Sequence, residues 1–185
     1  MSRTNPTQPS QHAHIRSMIR DRRSRSGVAK TSGRMRPVQR WRVKRMVNLV
    51  NGSTLLGLAV AKAGRCRLGN GPRGLVLAGD YRFGFPRAAA FTVGDVVVSR
   101  RPVGWLGQQS RLLVHEERHS WQYVACLGLP MIPLYLLAAG YSYLRGGDAA
   151  VHNAFERLAG LEDGGYPLLS RRQRQRDLLR RTRAA

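Results

Sequence analysis

Between residues 38 and 63 large apolar residues recur at helical spacing. Trp41, Val43, Met46, Val47, Leu49 and Val50 come first, then Leu55, Leu56, Leu58, Val60 and Ala61. Asn48, Asn51, Gly52, Ser53 and Thr54 interrupt the run. The pattern predicts one helix with a weak centre, or two short helices that meet near Gly52. From residue 64 to 102 the period changes. Residues 74–78, 90–93 and 95–99 are short strand candidates, and Gly94-Asp95 supplies the tight turn that makes the last two a β-hairpin. Arg100, Arg101 and Pro102 follow the Val96–Val98 run, which places this strand at an edge.

A further helix follows Gly104-Trp105-Leu106-Gly107 and should end at Gly128, a residue type favoured just past helix ends. Residues 123–144 then carry no charge, a run of 22 positions that is long enough to span a bilayer. Gly128, Pro130 and Pro133 break it, leaving 134–144, or about 16 Å of helix. A buried core helix beginning near Pro133 is the preferred expectation, and a membrane-associated or re-entrant hairpin the alternative. Asp148 is placed to cap a helix that runs to Ala159 with Val151, Phe155 and Leu158 on one face. Residues 161–167 read as a loop, and 171–183 show helical character without an apolar stripe.

Composition changes this picture mainly at the ends. The net charge of +22 is uneven: residues 1–45 hold 13 Lys/Arg against one acid, and 171–185 hold seven against one. Residues 1–36 have almost no large apolar side chains and should be disordered. The expectation is one α+β domain over 37–170, a small antiparallel sheet or hairpin with three to four helices, between basic tails at 1–36 and 171–185. Such tails would touch nucleic acid or an anionic membrane weakly, and with strong salt dependence. A signal peptide ending at Ala61-Lys62-Ala63 is disfavoured, since its basic region would be too long and its apolar part is interrupted. Cys66 and Cys126 lack metal-site or disulfide-scaffold spacing; two buried thiols in a reducing cytoplasm are expected.

The candidate chemistry lies in Leu112-Leu113-Val114-His115-Glu116-Glu117-Arg118-His119. Residues four apart stack on one helix face, so His115 and His119 can share a Zn²⁺ ion. Glu116, beside them, is placed to take a proton from a metal-bound water. An exposed turn of helix, with Glu117 and Arg118 facing solvent, is the plainer alternative. A catalytic zinc needs a third protein ligand and an open position. Glu156 and His152 are the donors available downstream on a helix.

Asn153-Ala154-Phe155-Glu156-Arg157-Leu158-Ala159, taken with the His-Glu-x-x-His helix, resembles the zincin metallopeptidases of the gluzincin type. Asn153 lies three before Glu156 and Ala159 three after it, and Gln122 matches the His-Glu-x-x-His-x-x-Gln form of small bacterial zincin-like domains. The resemblance covers about residues 74–166. It implies His115, His119 and Glu156 as zinc ligands, Glu116 as general base and hydrolysis of a peptide or protein substrate. It also implies that the hairpin before the motif is the edge along which an extended peptide lies. Zincins often stabilise the oxyanion with Tyr, His or Arg, and Tyr166 is the candidate here. A non-enzymatic metal-binding domain is the competing expectation.

Overall fold

The computed structural model describes residues 37–86 and 88–184, so the expected disorder of 1–36 lies outside them. The fold is α+β, with seven helices and a four-stranded mixed sheet among the described residues. Helices α1 (Pro37–Val50) and α2 (Ser53–Ala63) are the two-helix form of the first apolar stretch, bent by 74° at the Asn51-Gly52 corner. Strands β1 (Arg67–Asn70), β2 (Val76–Gly79), β3 (Phe91–Val93) and β4 (Val96–Val98) follow. The sheet order is β1-β2-β4-β3.

The expected β3–β4 hairpin forms, with Val93 opposite Val96 across Gly94-Asp95. Gly94 has φ 63°, and a Cβ there would lie 2.4 Å from the Thr54 nitrogen. No other residue allows both that turn and the seating of α2 on it. Two details differ from expectation. β2 and β4 are parallel, so the sheet is mixed rather than antiparallel. β4 is also central, with β3 as the edge strand beside it. The continuous Val96-Val97-Val98 run is what a strand covered on both faces requires; Arg100, Arg101 and Pro102 lie beyond its end.

Alternation along β4 divides the core. Val97 faces Leu75, Leu77, Leu106 and Leu113, below helices α3 (Val103–Gln108) and α4 (Ser110–Ala125). Val96 and Val98 face Ala61 of α2 on the other side. Burying each such aliphatic side chain contributes roughly 1.5–3 kcal/mol. A buried polar knot locks the layers together. Asp95 Oδ1 accepts from Ser120 Oγ at 2.6 Å and lies 3.2 Å from Lys44 Nζ, while its Oδ2 accepts from Thr54 Oγ1 at 3.1 Å. Asn48 Nδ2 donates to the Ser120 carbonyl at 3.0 Å. One turn residue thus joins α1, α2, the hairpin and α4.

Beyond α4 the chain differs more. Helix α5 (Met131–Gly146) starts earlier than Pro133, and it is not a buried core helix: only Met131, Ser142 and Gly146 are buried, and much of its apolar surface is exposed. No single described helix is long and apolar enough to cross a membrane; by length and composition alone, the bent α1–α2 pair is. The expected helix from Asp148 is shorter. It is α6 (Ala154–Ala159), capped by Asn153, whose side chain accepts from the Phe155 nitrogen. Asp148 instead turns the chain, accepting from Ala150 and Val151 nitrogens. The C-terminal segment, expected as a basic tail with helical character, is helical as α7 (Arg171–Ala184). Cys66 and Cys126 are free and half-buried rather than buried.

Candidate metal centre

His115 and His119 project from one face of α4, and α6 brings Glu156 against them. All three are buried, at 2%, 7% and 2% exposure. The two Nε2 atoms are 3.1 Å apart, and Glu156 Oε2 lies 3.2 Å from His115 Nε2 and 3.6 Å from His119 Nε2. Tetrahedral bonds of about 2.1 Å put donor atoms about 3.4 Å apart, which these distances bracket.

The surrounding hydrogen bonds decide what those atoms are. His115 Nδ1 faces the carbonyls of Gly160 at 2.9 Å and Ala159 at 3.2 Å, so it must be the donor. His119 Nδ1 faces Gln122 Oε1 at 2.8 Å, and Gln122 Nε2 donates to the Phe155 carbonyl at 2.9 Å, which sets the amide orientation. Both Nδ1 atoms therefore carry hydrogen, and both neutral Nε2 atoms present lone pairs. Glu156 Oε2 receives no hydrogen bond. Three buried acceptors converge with nothing donated between them, which is costly unless a cation sits there. The cluster His115, His119 and Glu156 could hold a metal ion.

Titration follows the same geometry. Burial alone would raise Glu156, but the two facing imidazoles and the Tyr135 hydroxyl hold it down at about 2. Burial works against charge on His119, yet Glu156 and then Glu116 raise it above the ordinary histidine value.

The remaining expected residues fall as follows. Glu116 is buried and accepts from Thr92 Oγ1 at 2.7 Å. Burial pushes its carboxyl up, opposed by the imidazoles. Tyr166 lies near His115, ring centres 5.9 Å apart, and burial followed by the Glu156 and Glu116 charges raises its hydroxyl. His119, Glu116, Tyr166, Tyr135 and Thr92 all line a cavity of about 220 Å³ beside the donor cluster. His152 does not join the cluster; its ring packs at Gly146, at the far end of α5, and its backbone nitrogen donates to Ser142 Oγ.

Several supporting residues went unread in the sequence. The Tyr135 hydroxyl donates to Glu156 Oε1 at 2.5 Å from an otherwise apolar helix. Arg118, read as solvent-facing in the plainer alternative, donates to the Ala159 carbonyl and to Asp163 Oδ2, clamping α4 to the end of α6. Glu117 pairs with Arg73 at 2.8 Å. Gly164 packs against His115 so closely that a Cβ would lie 2.6 Å from the ring. Only the His-x-x-x-His-x-x-Gln spacing carried a signal for any of this support.

No family model, no curated protein and no solved structure matches this chain. The likeness to zincins therefore rests on His115, Glu116, His119 and Glu156 themselves.

Proposed function

We propose that the chain is a zinc-dependent hydrolase that cleaves a peptide bond, with His115, His119 and Glu156 holding Zn²⁺. The observation that carries this reading is the set of three convergent buried acceptors with both imidazole tautomers preset. Two imidazoles and one carboxylate are a donor set suited to zinc. A zinc ion bound there would supply positive charge that acidifies a water and polarises a carbonyl.

The chain's own residues supply the rest. Glu116 takes a proton from the water whose oxygen attacks the carbonyl carbon, and gives it to the amine nitrogen as the C–N bond breaks. Burial raises its carboxyl above the ordinary value, which favours holding the proton between the two steps. The Tyr166 hydroxyl keeps its proton and donates to the developing oxyanion. Support for a peptide substrate comes from β3, which among the described residues is paired on one side only, while Phe91, Thr92 and Val93 line the cavity. An extended chain can pair with such an edge and place its carbonyl beside the donor cluster. The cavity is smaller than the roughly 300–1,000 Å³ that encloses a whole small ligand, so it suits one side chain of a longer substrate.

The test is Glu116→Gln beside the wild type, assayed on a peptide library and on the chain's own Arg-rich ends. Cleavage should fall by at least about 10²-fold with metal content unchanged. Equal rates would remove Glu116 as the base. If neither protein cleaves anything while both bind metal, the centre is a binding site only.

A further inference from the structure

Helix α5 buries one side and leaves the other open. Met131, Tyr135 and Ser142 face the body, whereas Leu134, Leu137, Tyr141 and Leu144 recur on the opposite side. Leu137 is 71% exposed and Leu144 75%. A helix that is apolar on all sides belongs in a core or against a membrane, and here the core covers one side. Leu127 and Leu129, just before the helix start, are exposed as well.

Charge takes over at the other end. Arg145 lies in the last turn of α5, and Arg171, Arg172 and Arg174 open α7 beside it, with Arg172 Nη1 donating to the Arg145 carbonyl at 3.3 Å. Asp148, beside this cluster, accepts from the backbone nitrogens of Ala150, Val151 and Arg171.

We propose that the open face of α5, with the arginines at its end, docks on an anionic phospholipid surface. The helix would lie in the interface rather than cross it. Its 16 residues extend about 24 Å, short of a hydrocarbon core of about 30 Å. Its inner side is also held, by Tyr135 on Glu156 and by Ser142 accepting from the His152 nitrogen. Apolar side chains flanked by arginine are the combination that an interfacial helix uses on anionic lipid. A second copy of the chain is the poorer occupant, because each copy carries a net charge of +22. Leu136 is exposed and also lines the cavity, so docking brings the rim of the cavity to the lipid surface. The docking surface does not depend on whether the site hydrolyses anything.

The experiment is co-sedimentation of the full chain with neutral phosphatidylcholine vesicles and with vesicles half phosphatidylglycerol. The wild type should bind the anionic vesicles and lose affinity as salt rises. Leu137→Asp with Leu144→Asp should weaken binding by more than about tenfold, and Arg171→Glu with Arg172→Glu by at least about fivefold per arginine. Both pairs are on the surface and should melt with the wild type. In a separate arm, Tyr143→Trp should be quenched by brominated phosphatidylglycerol. Unchanged vesicle binding by the aspartate pair would mean that the basic ends bind alone, and would overturn the proposal. So would absence of quenching, or a dimer that the aspartate pair dissolves and that ignores vesicles.

Discussion

Gln122 sets the tautomer of His119. With its amide nitrogen given to the Phe155 carbonyl, its oxygen can only accept, and it lies 2.8 Å from His119 Nδ1. The Nε2 lone pair is thereby aimed at His115 and Glu156. Gln122→Ala keeps all three donors and removes that aim. Metal affinity should fall by about 10–100-fold, as when other partners of ligating histidines are lost, measured by competition with a chromogenic chelator. Unchanged affinity would mean that packing alone orients His119.

Proton and metal compete at His119. Its value is raised by Glu156 and Glu116 against the effect of burial, whereas Glu156 is held at about 2 and is ionised wherever His119 titrates. Metal affinity should therefore rise with pH through the raised His119 value, with a proton released on binding. The metal-free protein should show the opposite trend from this group. A raised histidine stabilises fully below its ordinary value of 6.5, and that stabilisation is lost as pH rises through the folded value. The depressed Glu156 stabilises above its ordinary 4.5 and loses this as pH falls toward about 2. Thermal melts with and without metal across this range check both signs.

Gly164 is packed on the His115 ring, and a Cβ there would lie 2.6 Å from its Cε1. Gly164→Ala should weaken metal binding while leaving every ligand in the sequence and the circular dichroism unchanged. Full metal affinity in the variant would show that the 161–166 loop yields instead of the ring.

Asp95 holds the hairpin turn to three helices, and its partner Lys44 is fully buried. Asp95→Ala strands that ammonium without a counter-charge and should cost about 3–5 kcal/mol in urea unfolding. A loss below about 1 kcal/mol would mean that Lys44 reaches water in the variant.

Local patterns were readable in the sequence, and long-range partners were not. The hairpin followed from Gly94-Asp95 between apolar runs, and the helix bend from the polar break at Gly52. The His115–His119 face followed from helical spacing alone. Glu156 was reachable through its resemblance to a second zincin ligand motif. Asp95 gave no sign that its carboxylate would be buried against a residue 51 positions earlier, Lys44. β1 was missed because Arg67-Leu68-Gly69-Asn70 lacks apolar alternation; its pairing with β2 makes it a strand. Asp148 and Asn153 are both good caps by type, and only the tertiary turn at Asp148 decides for Asn153. Tyr135 sits in a helix whose apolar run conceals that one hydroxyl points at Glu156.

Metal analysis of the purified protein tests the account most directly. Elemental mass spectrometry on the wild type, His115→Ala and Glu156→Gln, after identical dialysis against a weak chelator, would measure metal per chain. The wild type should hold close to one zinc ion, and both variants should hold little. A metal-free wild type that takes up no added zinc would contradict the centre, as would variants that retain zinc at the wild-type level.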